Sequence, residues 1–298
     1  MRFLVRIASL CLVLVAGKLA QAETLMLGSI NDDVRKHIEQ FTPLADYLVE
    51  QLADQGITRV GISVLPTAQD MADAMRVGDV DLYFDSPVVA AHVARQAGGE
   101  PFLRRWKNGI GEYHSIIIVP NDSSIRSLYD LEGVTIGFQG PSSTSGFMLP
   151  VALVRETGIP LRELEGTDDS PAGDEIGFVF TGDDRNTILW LAQGLIGAGA
   201  TDPRGLAWLE DSQPGAFRSI ARSADVPRQV VVRRGGMDAA LSARIEDVLR
   251  DMSDTSEGQR TMALFNDTTC FDDFPDGVEA TFEPIYQLLD ELNLMGVI

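Results

Sequence analysis

The stretch from Gly140 to Gly146 contains four consecutive hydroxyl side chains, Ser142, Ser143, Thr144 and Ser145. A strand-like segment precedes it and an apolar, helix-like run follows it. Serine and threonine are good helix caps, and the first turn of a helix has unpaired backbone N–H groups at the positive end of its dipole. The segment therefore indicates either an anion site at a helix start or an ordinary capped helix, which needs only one hydroxyl.

Three further strand–helix junctions carry polar residues in the same way. Tyr83–Pro87 ends one strand and contributes Tyr83, Asp85 and Ser86, while the other two junctions contribute Asp184 and Asp202. A single junction of this kind is more often structural, because Asp, Ser and Thr cap helices everywhere. Together, however, the four junctions lie at the carboxyl ends of strands, where α/β sheets bind ligands.

The same hydroxyl groups could instead belong to an enzyme, namely a serine hydrolase that uses Ser143 or Ser145 as its nucleophile. A nucleophile needs a base within hydrogen-bond reach, yet all three histidines precede the serine cluster and no nucleophile elbow is present. We expect His37 and His92 on helix surfaces, and His114 either in a cleft or packed along a strand. No histidine or cysteine grouping has metal-ligand spacing, so we expect neither a metal nor a cofactor.

The first 22 residues read as a secretory signal peptide, with two arginines, a short apolar core and small residues before a cleavage site after Ala22. They hold three basic and no acidic residues, so the formal net charge falls from −20 to −23 on cleavage. Such a surface argues against nucleic acid or anionic membranes as partners. We expect an exported, periplasmic protein without a direct membrane anchor, and we assign no role to Cys270, the one cysteine left.

Any anion site in so acidic a chain must work through local dipoles rather than the global field. The mature chain keeps only two lysines, Lys36 and Lys107, beside nineteen arginines. We interpret this ratio as a composition bias without chemical meaning.

Strands and helices alternate along the chain, which indicates an α/β fold with parallel strands. Strand-like segments are Leu25–Ile30, Val60–Leu65, Val80–Phe84, Tyr113–Pro120, Val134–Phe138, Ile176–Phe180, Leu195–Ala200 and Gln229–Arg233. Helix-like segments are Val34–Leu52, Ala68–Val77, Val88–Gln96, Thr144–Glu156, Asn186–Gln193, Met237–Ser253 and Phe282–Leu294. Two consecutive α/β units in a chain of this size predict two lobes.

The chain resembles the periplasmic substrate-binding proteins of phosphate, phosphite and phosphonate ABC transporters. The segments that carry the resemblance are Phe41–Leu48, Ala72–Pro87, Tyr113–Val119, Leu128–Gly133 and Gly140–Gly146. It implies a type II periplasmic-binding-protein fold, with a ligand cleft between two lobes joined by a hinge. We expect lobe 1 to comprise residues 23–116 and 228–298, and lobe 2 residues 117–227.

The resemblance also implies a ligand site. Ser142, Ser143, Thr144 and Ser145 would hold an oxyanion, Tyr83, Asp85, Ser86 and Tyr113 would approach from lobe 1, and Asp184 and Asp202 from lobe 2. A carboxylate facing an anion makes sense if the ligand is protonated there or carries an amine, because an ionised carboxylate can only accept hydrogen bonds.

The chain departs from the family pattern at several positions. Ala68 stands where the family often has tyrosine, and Asp184-Arg185 where it often has His-Asp. Near the aromatic pair the chain reads Asp85-Ser86-Pro87 in place of Gly-Pro. Arg185 either replaces the histidine as the cation for the anion or is a solvated helix-end arginine. The ligand can therefore differ from phosphonate, as a small oxyanion or zwitterion delivered to an ABC permease or reported to a membrane histidine kinase.

Overall fold

The computed structural model describes residues 23–294, so the predicted signal peptide lies outside the described residues. The strands are β1 Glu23–Ile30, β2 Ile57–Leu65, β3 Leu82–Asp85, β4 Glu100–Lys107, β5 Glu112–Tyr113, β6 Ile116–Pro120, β7 Thr135–Phe138, β8 Leu161–Glu163, β9 Ile176–Phe180, β10 Ala198–Thr201, β11 Phe217–Arg222, β12 Val226–Pro227, β13 Gln229–Arg233 and β14 Thr268–Asp272. The helices are α1 Val34–Gln51, α2 Ala68–Val77, α3 Pro87–Ala97, α4 Leu149–Arg155, α5 Asp184–Ala192, α6 Pro203–Ser212, α7 Ala239–Asp251, α8 Ser256–Leu264 and α9 Gly277–Leu294.

The strands form two six-stranded sheets, one in each lobe. The sheet of lobe 1 has the order β14-β4-β13-β3-β1-β2, and that of lobe 2 the order β11-β6-β10-β7-β9-β8. In lobe 1, β1 pairs in parallel with β2 and β3, while β13, β4 and β14 add antiparallel pairs. In lobe 2, β10, β7, β9 and β8 pair in parallel, while β6 and β11 add antiparallel pairs. The α/β class is therefore confirmed, with mixed sheets rather than wholly parallel ones.

A two-stranded ribbon joins the lobes. β5 and β12 pair antiparallel, with Tyr113 opposite Val226, where the chain leaves lobe 1 and where it returns. The predicted lobe boundaries lie at residues 117 and 228. Strand β6 of lobe 2 begins at Ile116, one residue before the first boundary, and strand β13 of lobe 1 begins at Gln229, one residue after the second. The sequence predicted a single strand over Tyr113–Pro120, but two residues of the crossover, His114 and Ser115, separate β5 from β6.

Most predicted elements form where local signals mark their ends. Asp33 caps α1 by accepting from the backbone N–H of Lys36 at 3.1 Å, and α3 starts with Pro87 and ends at Gly98 in the left-handed conformation. The sequence patterns do not predict β4, β8, β11, β12, β14 and α8, and they predict only the start of α6, at Asp202. The omission of β4 matters most, because this strand brings two cations to the site described below.

The C-terminal helix α9 packs against a helix of each lobe. Arg95 of α3 donates to the carbonyl of Tyr286 at 3.1 Å, and Arg155 of α4 donates to that of Glu291 at 3.4 Å. Its apolar face joins a buried cluster that contains residues of both lobes. Within residues 23–294, no helix has the length and apolar composition that a membrane span requires.

Candidate functional site

A cleft of about 410 Å³ lies between the lobes, lined by residues of both. From lobe 1 come the ends of β1 and β3, helix α1 and strand β4, and from lobe 2 the hydroxyl stretch and the starts of α5 and α6. Eight of the ten predicted site residues line it: Asp85, Ser86, Tyr113, Ser142, Ser143, Thr144, Ser145 and Asp184. The other two, Tyr83 and Asp202, do not.

The hydroxyl stretch forms a tight turn that leads into a π-helical turn, Thr144–Met148, before α4 begins. Ser143 caps this turn, because its Oγ accepts from the N–H of Gly146 at 3.0 Å and donates to Oε1 of Gln139 at 2.6 Å. A side chain on Gly146 would place its Cβ 2.6 Å from Cβ of Gln139. The turn is thus close-packed, and the Ser143 hydroxyl is engaged in holding it.

Thr144 and Ser145 offer their hydroxyls to the cleft. Both residues are buried, and Oγ1 of Thr144 forms no well-aligned hydrogen bond within the described part of the chain. A buried hydroxyl without a partner costs roughly 1–3 kcal/mol. The Tyr113 phenol approaches this hydroxyl, so Tyr113 and a ligand atom in the cleft are its two candidate partners.

Arg105 on β4 is a buried cation facing the cleft, with only 2% of its surface exposed. Its Nε donates to Oγ1 of Thr268 at 2.7 Å, and its Nη2 donates to the carbonyl of Phe265 at 3.2 Å. These partners are neutral. Burial, and then the nearby charge of Arg228, lower the pKa of Arg105 to about 9. Within residues 23–294 the Arg105 guanidinium forms no salt bridge, and the carboxylates of Asp85 and Asp267 act on it only from a greater distance.

Lys107 lies two residues further along β4 and on the same face of the strand. Burial, together with the charges of Arg105 and Arg228, lowers the pKa of Lys107 to about 8. Like charges gathered in a desolvated place disfavour the protonated lysine. An anion bound between these groups would reverse the effect. The two lysines therefore differ in position: Lys36 is an exposed residue on α1, whereas Lys107 lines the cleft, a placement that the composition alone did not indicate.

Arg228 comes directly after the hinge ribbon and also lines the cleft. Its guanidinium carbon lies 4.6 Å from the centroid of the Tyr113 ring. This is within the range of a cation–π contact. Burial raises the pKa of Tyr113, against the opposing effect of Arg228. The phenol stays neutral and able to donate a hydrogen bond near Thr144 and Ser145, whose hydroxyls it approaches.

Asp202 does not line the cleft, because its carboxylate is bound by its own neighbour Arg204. It caps α6 by accepting from the N–H of Arg204 at 2.9 Å, and its carboxylate also accepts from Nε of Arg204 at 3.0 Å. The Asp202 side chain is 4% exposed, whereas that of Arg204 is 43% exposed and lines the cleft. At the start of α6 the cleft is therefore lined by the cation Arg204 and not by the predicted carboxylate of Asp202.

The two carboxyl groups that line the cleft, those of Asp85 and Asp184, both have raised pKa values. Oxygens of Asp85 accept from the hydroxyl of Tyr83 at 2.5 Å and from the N–H of Ser86 at 2.6 Å, and burial raises the pKa of Asp85. Tyr83 is completely buried and serves to hold Asp85. Burial, and then the charge of Asp202, raise the pKa of Asp184 as well. Neither acid forms an ion pair with the cations of the cleft within residues 23–294.

Of the three remaining candidates, His37 lines the cleft, whereas His114 and Arg185 do not. His37 lines the cleft, where its Nδ1 lies 2.8 Å from Oγ of Ser29, so the expectation of a surface histidine is wrong for His37. His114 pairs with Asp225 at 2.9 Å, away from the cleft. Arg185 is exposed and does not line the cleft, which matches the solvated helix-end interpretation.

A model of the family described as the periplasmic substrate-binding protein of phosphonate ABC transporters matches residues 31–276. The chain belongs to this family. The protein is thus a solute-binding protein and not a hydrolase, and the fold is the two-lobed type II fold of periplasmic binding proteins.

Solved structures agree with the family assignment. XAC2383 from Xanthomonas citri, bound to chloride ion, superposes with a TM-score of 0.81 at 31% identity, over 91% of this chain and 98% of its own. The same protein has also been solved bound to ATP, with 30% identity to this chain. PhnD1 from Prochlorococcus marinus, in complex with methylphosphonate, shares the fold at a TM-score of 0.65 and 16% identity, over 92% of this chain and 99% of its own.

Proposed function

We propose that this family member is exported through its N-terminal signal sequence and captures an oxyanion-bearing ligand in the interlobe cleft for delivery to an ABC permease. The transporter family supports delivery over signalling to a histidine kinase. The ligand group we propose is a tetrahedral oxyanion of the phosphonyl, phosphoryl or sulfonyl type.

The observation that supports the proposal is that hydroxyl groups of lobe 2 face one cleft together with cations that form no salt bridge within residues 23–294. Thr144 and Ser145 lie at a helical start in lobe 2, where backbone N–H groups also point outward. Lys107 and Arg228 reach the same cleft from lobe 1 and the hinge. An anion between them would bridge the lobes, and such bridging favours the closed form over the open one.

The ligands of the Xanthomonas citri relative support the same chemistry. Chloride and ATP, the molecules bound in its two structures, are both anionic. The four cations of the present cleft, Arg105, Lys107, Arg204 and Arg228, are suited to such charges. The local charge of the cleft thus opposes the sign of the protein as a whole, whose formal net charge is −20.

Isothermal titration with methylphosphonate tests the proposal. The double variant Thr144→Val with Ser145→Ala removes two donors, and we expect its dissociation constant to rise by about tenfold or more. Thr42→Val, an exposed exchange on α1 outside the cleft, is the matched control and should bind as the wild type does. Equal affinity of the double variant and the wild type would show that the hydroxyls do not hold the anion.

A further inference from the structure

The imidazole ring of His37 is held in a fixed position at the lobe-1 side of the cleft. His37 lies near the start of α1, and its Nδ1 is 2.8 Å from Oγ of Ser29, at the end of β1. One helical turn further on, the ring of Phe41 stacks against the imidazole, with 6.2 Å between the centroids and 26° between the ring planes. All three residues line the cleft. The ring is therefore oriented by a hydrogen bond and by an aromatic contact.

The hydrogen bond with Ser29 also determines which ring nitrogen carries the proton. Ser29 is buried, and its Oγ has no other hydrogen-bond partner within residues 23–294. If Nδ1 donated to Oγ, the hydroxyl proton would have no acceptor among these residues. Donation from the hydroxyl to Nδ1 satisfies both groups and leaves the proton of the neutral ring on Nε2. When the ring is protonated, Nε2 carries a proton as well, so Nε2 is a donor in both states.

This second nitrogen is free to bind a ligand. Nε2 of His37 makes no hydrogen bond within the described residues, and the protein does not enclose it. Since the ring lines the cleft and its Nδ1 is held by Ser29, Nε2 is the nitrogen left for a molecule in the cleft. It offers a directed N–H group from lobe 1.

The charges around His37 connect its ring with the cations of β4. Burial is the main cause that lowers the pKa of His37; the charges of Lys36, Lys107 and Arg105 act in the same direction, and that of Asp33 opposes them. The effect of Lys107 and Arg105 indicates that the ring and these two cations face the same part of the cleft. A neutral imidazole can donate there without adding another like charge.

We infer that His37 is a ligand-binding residue, whose Nε2–H donates to an oxygen of the ligand, and that Ser29 is the residue that positions its ring. This role rests on the proposed oxyanion function and adds a directed donor from lobe 1 to the hydroxyl groups of Thr144 and Ser145 in lobe 2. The ligand atom that faces α1 must then be a hydrogen-bond acceptor, as each oxygen of a tetrahedral oxyanion is.

Isothermal titration with methylphosphonate at pH 7.5 tests the role of the Nε2–H group. His37→Phe keeps a flat ring beside Phe41 but removes both nitrogens, and we expect its dissociation constant to rise by about tenfold. His37→Gln retains an N–H donor, so its dissociation constant should stay within about threefold of the wild-type value. His92→Phe is the same exchange on α3, at a half-buried position outside the cleft, and should bind as the wild type does.

Nitrogen NMR of the histidine rings tests the geometry in the unaltered protein. The signals of His37 are identified by their loss in His37→Gln. Without ligand they should show a protonated Nε2 and an unprotonated Nδ1, and saturation with methylphosphonate should shift the Nε2 signal. Ser29→Ala removes the partner of Nδ1, so both tautomers should appear and the affinity should fall by about threefold to tenfold. A Ser29→Ala protein with the wild-type tautomer and affinity would exclude the positioning role.

The role of His37 and the oxyanion function fail in different ways. If methylphosphonate binds the wild type and depends on Thr144 and Ser145, but leaves the His37 signals unmoved, the oxyanion function holds and the role of His37 is wrong. Wild-type affinity of a His37→Phe protein that thermal denaturation shows to be folded would overturn that role too. If methylphosphonate does not bind the wild type at all, both are wrong.

Discussion

The guanidinium of Arg228 lies against the ring of Tyr113, 4.6 Å from its centroid, at the ribbon through which the chain passes between the lobes. Both residues line the cleft, and both lie at or beside the ribbon of β5 and β12. On the proposed function, an anion that attracts Arg228 would act next to the connection between the lobes.

The first prediction concerns Arg228. Arg228→Gln keeps much of the side-chain volume but removes the charge, and we expect the dissociation constant for methylphosphonate to rise by about tenfold to a hundredfold. Unfolding without ligand should change by about 1 kcal/mol or less, because Arg228 loses the cation–π contact with Tyr113 but no salt bridge within the described residues. Arg185→Gln, the same exchange at an exposed position, is the control. An Arg228→Gln protein with wild-type affinity would exclude this residue from the site.

The second prediction is a pH dependence of binding. Without ligand the pKa of Lys107 is about 8, and a bound anion raises it because opposite charges favour the protonated form. Affinity is therefore full below pH 8 and declines as the pH rises through that value. Binding in the same range takes up roughly one proton.

Sulfate is the suitable probe for this measurement, since its own charge is constant over the range. Titrations from pH 6.5 to pH 9.5, in buffers of different ionisation enthalpy, give both the affinity and the proton uptake. In Lys107→Met the step near pH 8 should be absent. A wild-type affinity that stays constant up to pH 9.5 would contradict the role of Lys107; the pKa of Arg105, about 9, adds a further decline at higher pH.

The third prediction concerns Gly146. A methyl group there would approach Cβ of Gln139 to 2.6 Å and Oγ of Ser143 to 2.8 Å, so the turn must open. We expect Gly146→Ala to destabilise the protein by about 1–3 kcal/mol and to weaken methylphosphonate binding. Gly140→Ala, six residues earlier, meets nothing within 4 Å and is the control. Urea denaturation and titration of both variants make the comparison; similar behaviour of the two would show that the turn is not close-packed.

The fourth prediction concerns the pair of Asp202 and Arg204. Arg204→Ala removes the guanidinium that binds the Asp202 carboxylate, so the cleft should then accept an amine more readily. Relative to methylphosphonate, 2-aminoethylphosphonate should gain about tenfold in affinity, as expected for one charge-assisted hydrogen bond. The double variant Arg204→Ala with Asp202→Asn should lose this gain. An unchanged ratio in Arg204→Ala would mean that Asp202 does not reach the cleft.

Local sequence was sufficient to predict the lobe-2 floor of the cleft. The cap at Ser143, the helical turn after it and the strand before it all follow from short-range signals in Gly140–Gly146. The two-lobed α/β class followed from the alternation of strands and helices, and the family from motifs spread along the chain. These features depend on neighbouring residues, so the sequence determines them directly.

Short-range sequence signals could not predict that four cations line the cleft. Arg105 and Lys107 lie on a strand without a clear pattern, and Arg228 and Arg204 lie about a hundred residues further on. Only the folding of two sheets around one hinge places them together. Their proximity and burial then lower the pKa of Lys107 to about 8. The hydrogen bonds from Arg204 to the Asp202 carboxylate likewise depend on side-chain positions that only the folded structure fixes.

The sequence by itself thus determined that this chain is a two-lobed binding protein with a turn of four hydroxyl side chains in its second lobe. The tertiary structure decided the charge of the cleft, because the sign and strength of a binding site depend on which side chains are desolvated together. Composition records the chain's net charge of −20, whereas the fold concentrates four cations at one site.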